Sequence, residues 1–192
     1  MSNSVYKPLF SEEQYNSKDG FNVNFWGKMM WNFLHTISFN VDPVEMTPED
    51  REEYDNFLQS LKYVLPCKSC RENYKKNLAD LNYDKNVVLV NRKSFSMFIY
   101  RLHNRVNKML GKPCTLTYDQ VRDRYEMFRA RCYNETPIIQ KYSKNGEEVK
   151  ETGCDTPMVG IKSKSVITIV PIETKCEAFK VDPKCIPKKI KK

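Results

Sequence analysis

Between Asn24 and Cys132 apolar residues recur at the three-and-four spacing of amphipathic helices, with helix stop and start signals between the runs. The first run covers roughly 24–39, with Trp26, Met30, Phe33, Leu34 and Ile37 in helical register and Pro43 beyond. The second opens at Thr47-Pro48-Glu49-Asp50, where a hydroxyl cap, a first-turn proline and two acids suit a helix start. Tyr54, Phe57, Leu58, Leu61 and Leu65 form its stripe. Pro66 ends that helix and starts a third, which carries Cys67, Cys70, Tyr74 and Leu78. The fourth begins near Ser94 and runs through Phe95, Phe98, Ile99, Leu102, Val106, Met109 and Leu110 to Gly111, with Pro113 beyond. A Thr-x-x-Gln capping box at Thr117–Gln120 opens a short fifth, with Val121, Tyr125 and Phe128 facing inward. The expected fold is all-α: a four-helix bundle with a short fifth helix.

Three parts follow along the chain: a polar N-terminal arm (1–22), the helical domain (23–133) and a C-terminal tail (134–192) rich in Lys, Thr, Pro and Glu. The tail is expected to be poorly structured or small-β. Asn145-Gly146 marks a turn between Ile138-Ile139 and Val149, and Ser165 to Val170 has strand propensity. Its apolar content is thin for a core of its own.

Composition narrows the function. The longest apolar runs, such as Val87 to Val90, are far too short for a membrane span, and the N-terminus has no basic-then-apolar signal pattern. The compartment expected is therefore the cytoplasm, a host's cytoplasm or a virion. Net charge is +8, but Pro183 to Lys192 alone holds five lysines. A solvated basic tail explains the excess better than a nucleic-acid site, which would show as a steep salt dependence of binding.

The strongest local chemistry is Leu65-Pro66-Cys67-Lys68-Ser69-Cys70. At a helix start, free N–H groups and the positive dipole end stabilise a thiolate, and Lys68 and Arg71 add positive charge. Two cysteines three apart close a small disulfide, so the pair suits thiol–disulfide exchange. The alternative is half a zinc site in a non-enzymatic, zinc-stabilised interaction module. Zinc wants four ligands, and neither Cys114, Cys132, Cys154, Cys176 and Cys185 nor the distant His35 and His103 supply a second close pair. A thioredoxin-type site is disfavoured because a helix, not a buried strand, precedes the pair. No metal is expected. Two further helices each present a histidine with an aromatic or amide neighbour: Trp31 with His35, and His103 with Asn104 and Asn107. Such stacking planes with donors and acceptors are what a flat aromatic cofactor requires.

Gly27-Lys28-Met29-Met30-Trp31-Asn32-Phe33-Leu34-His35-Thr36, Leu65 to Cys70, and His103-Asn104-Arg105-Val106-Asn107-Lys108-Met109-Leu110-Gly111-Lys112-Pro113 stand in the order of three motifs of the Erv/ALR family of FAD-linked sulfhydryl oxidases, which this chain resembles over roughly 24–132. Val121 to Tyr125 resembles the family's last helix, with Tyr125 where Trp is usual. The short Leu-Pro-Cys-x-x-Cys form is most like members encoded by large DNA viruses. The resemblance implies a helical bundle binding FAD, usually a homodimer. Thiol-containing protein substrates would pass electrons through the Cys67–Cys70 disulfide to FAD and then to O2, giving H2O2. By the same resemblance Cys67 exchanges with substrate and Cys70 reacts with the flavin. Gly27, Lys28, Trp31, His35, His103, Asn104, Val106, Asn107, Lys112 and Tyr125 fall at FAD-contact positions. Cys114 and Cys132 are candidates for a structural disulfide, with two free buried thiols the alternative, and Cys176 and Cys185 for a mobile shuttle pair, with a tail crosslink, intermolecular bridges or free thiols the alternatives.

Overall fold

The computed structural model of the chain describes residues 7–130, 164–171, 173–174 and 180–185. Among these are seven α-helices and no strand: α1 Glu12–Tyr15, α2 Val23–Asn40, α3 Pro48–Val64, α4 Lys68–Asp80, α5 Lys85–Val88, α6 Arg92–Met109 and α7 Tyr118–Glu126. The four long helices α2, α3, α4 and α6 form the bundle, with α6 packed against α2, α4, α5 and α7.

The helix starts follow from their caps. Thr47 accepts a hydrogen bond from Asp50 N at 3.0 Å, with Pro48 at the first helical position. Asn91 and Ser94 satisfy each other's backbone N–H groups at the start of α6, as Thr117 and Gln120 do at α7. Each cap satisfies a donor that the helix itself leaves unpaired, a contribution of about 1 kcal/mol. After α6, Gly111 turns the chain at φ +65°, which glycine adopts without the Cβ penalty.

The core is built on α6. Phe95, Ile99 and Leu102 are fully buried on its inner face, against Leu58 and Leu61 of α3, Leu34 of α2 and Leu78 of α4. Leu89 and Met46, from connecting segments, fill the same core. Two helix pairs are pinned by polar contacts: Tyr74 Oη donates to Leu58 O at 3.0 Å, and Arg92 Nε donates to Val41 O at 2.9 Å. Tyr100 Oη donates to Leu116 O at 2.8 Å, and Ser96 Oγ and Tyr118 Oη share a 2.8 Å bond, so the last helix is fixed on α6.

Several expectations need correction. On α2 the buried face is Leu34, His35, Ser38 and Phe39, whereas Phe33 is half exposed, so the stripe is turned towards the histidine. Phe128 is also partly exposed. The arm contains the capped turn α1, and Val87-Val88 lie in the short α5; neither helix is predicted by the apolar pattern, because four residues are too few to show a period. Residues 165–170 form no strand, and Val166, Ile167 and Ile169 are exposed there: strand propensity needs a partner edge to act on. The expected hairpin around Asn145-Gly146 lies outside the described residues.

Candidate active site

Cys67 and Cys70 are joined in a disulfide, with Cα atoms 5.2 Å apart. Cys67 is the N-cap of α4: its Sγ accepts from Cys70 N at 3.3 Å and lies 3.2 Å from Ser69 Oγ. The turn before it is braced at one carbonyl, since Leu65 O accepts from Cys67 N at 2.8 Å and from Arg71 Nη1 at 2.6 Å. A thiolate released here meets the open N–H groups of α4 and the Arg71 and Lys68 charges, all of which favour the anion. The zinc alternative is not supported. The two sulfurs bind each other, and among the described residues no three His, Cys, Asp or Glu side chains gather as ligands.

The redox turn is tied to the start of α2. Phe21 N donates to Pro66 O at 2.9 Å, and Asn22 caps α2 by accepting from Asn24 N at 2.9 Å. Eight residues further along α2, about 12 Å at 1.5 Å per residue, stands Trp31. There α2 and α6 bring their aromatic groups together. Trp31 and His103 stack with centroids 4.1 Å apart and planes within 6°. His35 Nε2 lies 3.0 Å from His103 Nδ1. Tyr125 of α7 stacks over His35 at 5.1 Å, and its hydroxyl donates to Asn32 Oδ1 at 3.0 Å. Phe39 closes the group, 5.5 Å from Tyr125.

Burial sets the protonation of this group. Desolvation lowers the His35 pKa to about 3, and the charge on His103 acts in the same direction. His103 is lowered to about 4 by burial and by Lys112, and burial pushes Tyr125 up to about 12. Both imidazoles are therefore neutral near pH 7, and in their mutual contact one nitrogen donates and the other accepts. His35 Nδ1 is buried without a partner. A buried polar atom with no partner is costly, so a ligand that reaches it gains a bond at no further desolvation of the protein.

Beside this cluster, on the outer side of α6, is a hollow of about 430 Å³ lined by Leu81, Arg101, Asn104, Arg105, Lys108, Lys112 and Cys114. Four cations surround it, and Arg105 Nε is buried without a partner although the same guanidinium pairs with Asp80. Lys112 is held there by its backbone N–H, which donates to Asn107 O at 2.8 Å. A flat ring system linked to a pyrophosphate matches this combination: aromatic faces with neutral imidazoles on one side, and paired cations on the other. The residues present thus fit a flavin dinucleotide.

The structure brings Trp31, His35, His103 and Tyr125 into one cluster, and Asn104 and Lys112 into the adjoining hollow. Val106 and Asn107 are half-buried on the same stretch of α6. Gly27 is half-buried on α2, where a Cβ would lie 3.2 Å from Val23 Cγ2. Lys28 is exposed on α2 and does not line the hollow. Cys114 is exposed and forms no disulfide among the described residues, with its Sγ 3.6 Å from Asn104 O. Cys132 and Cys176 lie outside the described residues; Cys185 ends a 3₁₀ turn at Pro183–Cys185. The motifs did not point to Arg101, Arg105 or Lys108. Their spacing of four and three residues on one helix face was the available signal.

An Erv1/Alr family model matches residues 28–126, and the chain belongs to that family. It is 35% identical over 101 residues to the probable FAD-linked sulfhydryl oxidase R368 of Acanthamoeba polyphaga mimivirus, covering 53% of this chain and 68% of that one. It is 33% identical over 87 residues to the mitochondrial FAD-linked sulfhydryl oxidase erv1 of Schizosaccharomyces pombe, covering 45% of this chain and 46% of that protein. The crystal structure of the yeast Erv1 core aligns at a TM-score of 0.49 with 21% identity, over 65% of this chain and 96% of that one.

Proposed function

We propose that this chain is an FAD-dependent thiol oxidase that forms disulfides in protein substrates. The observation that carries the reading is the Cys67–Cys70 disulfide at the start of α4, tied through Phe21 and Pro66 to the helix that bears the Trp31–His35 cluster. Family membership supports the same reading. A substrate thiolate attacks Cys67 Sγ, the Cys67–Cys70 bond breaks, and Cys70 departs as a thiolate next to the α4 N–H groups. A second substrate thiolate displaces Cys67 from the mixed disulfide. The substrate leaves oxidised by two electrons, and both cysteines are reduced. FAD held here would supply the two-electron acceptor for the reduced Cys67–Cys70 pair, with O2 as the final acceptor and H2O2 as the product. Trp31, His103, His35 and Tyr125 would hold its rings. Asn104 and Lys112, with Arg101, Arg105 and Lys108, would hold its phosphates. The neutral imidazoles offer hydrogen bonds without adding charge next to the ring.

A second copy of the chain is the partner we propose besides substrate. Phe25, Met29 and Phe33 recur at four-residue spacing on α2 and are 53%, 36% and 50% exposed, an apolar stripe that another α2 would cover.

The test is the purified chain itself. It should carry flavin absorbance and consume O2 with dithiothreitol. Cys70→Ser should keep the flavin and lose turnover. A colourless, folded chain, or undiminished turnover in Cys70→Ser, would refute the proposal.

A further inference from the structure

The arm segment just before α2 is fixed against the redox turn. Ser17 Oγ donates to Asp19 Oδ2 at 2.6 Å and accepts from Asp19 N at 3.1 Å, which closes a tight turn. Phe21 is then held at both backbone groups: its N–H donates to Pro66 O at 2.9 Å, and its carbonyl accepts from Trp26 Nε1 at 3.1 Å. Between them the backbone runs so close to the redox turn that a Cβ on Gly20 would sit 2.5 Å from Pro66 O and 3.2 Å from Cys67 Cα. Only a residue without a side chain fits there with the arm in place.

This contact creates a hollow of about 470 Å³, lined by Gly20, Phe21, Cys67, Lys68, Ser69 and Glu72. Cys67 lines it and Cys70 does not. An attacking thiolate must reach one sulfur of the disulfide from the side away from the other. The hollow borders Cys67, the residue such a thiolate would attack. At its edge Phe21 is 74% exposed although its backbone is fixed. A lone exposed aromatic on a surface is ordinary. One anchored at the entrance to a reactive sulfur is placed to touch whatever chain delivers the thiol.

We propose that Phe21, positioned by Gly20, is a specificity-determining residue: it selects polypeptide substrates with an apolar side chain next to the attacking cysteine. The inference rests on the oxidase reading above. In the exchange step the substrate's S–H proton is lost to solvent, the new bond joins the substrate sulfur to Cys67 Sγ, and Cys70 takes the electron pair of the broken bond. The apolar neighbour lies against the Phe21 ring during this attack. It gains burial there that a polar neighbour would not.

The test compares two synthetic dithiol peptides that differ only in Leu or Ser beside the first cysteine. The assay is O2 consumption by the flavin-loaded full chain. The wild-type chain should favour the Leu peptide about tenfold in kcat/KM. Phe21→Ala should bring that ratio close to one, Gly20→Ala should reduce it by displacing the arm, and Phe21→Leu should keep most of it. Flavin absorbance and melting temperature, read on the same samples, report whether each variant has kept its fold. A wild-type ratio near one, or an unchanged ratio in Phe21→Ala, overturns the inference while the oxidase reading stands. No turnover with either peptide or with dithiothreitol overturns both.

Discussion

The buried histidine pair makes the stability of this protein depend on pH in a window where few other groups contribute. An imidazole released by unfolding has its ordinary pKa of 6.5, whereas His35 in the fold is held at about 3. The folded value is the lower one, so as pH falls the unfolded chain takes up a proton first. Stability present above pH 6.5 is lost progressively as pH falls towards 3. At pH 5 the cost is about 2 kcal/mol for His35. His103, held at about 4, adds about 2 kcal/mol more at pH 5, where both rings are still neutral in the fold. Lys112 acts on His103 in the same direction, and Tyr125 stays neutral throughout. Among the carboxylates, Asp42 and Glu126 are lowered from 3.8 and 4.5, so their contribution is lost only below the pH 5 to 7 range of the assay. The assay is urea unfolding of the purified chain at pH 7, 6 and 5, followed by helical circular dichroism. The His35→Asn variant should lose about half of the pH dependence. A wild-type unfolding free energy that is the same at pH 7 and pH 5, or a dependence unchanged in His35→Asn, would show that these imidazoles are not held neutral by burial.

Two further outcomes follow from packing. Phe95 is fully buried where α6 meets Tyr54 of α3, ring centroids 5.3 Å apart, so Phe95→Ala should cost about 3–5 kcal/mol in chemical denaturation. Phe33→Glu places a charge in the exposed α2 stripe; sedimentation should give half the wild-type mass, with the monomer's helical content retained.

Much of the helical frame is legible from local chemistry. Thr47-Pro48, Thr117-x-x-Gln120 and Gly111 act within one turn of their own position, so the sequence shows where helices start and stop without reference to the rest of the molecule. Cys67-x-x-Cys70 is legible for the same reason. The two histidines stand out as residue types, but the apolar run alone places Phe33 on the inward face of α2. The structure instead buries His35 and Ser38 and leaves Phe33 partly exposed. Hydropathy ranks a phenyl above an imidazole, and only the neighbouring His103, Trp31 and Tyr125 make the imidazole the better buried group.

By itself, then, the sequence determined the four bundle helices and α7, the redox pair and the family motifs, since each depends on residues a few positions apart. Tertiary structure alone decided that His35 meets His103 across two helices and that Gly20 and Phe21 of the arm lie on the Pro66-Cys67 turn. These contacts join residues from about 45 to 68 positions apart in the arm and the histidine pair. Their geometry is set by how helices pack, which no short-range pattern along the chain encodes.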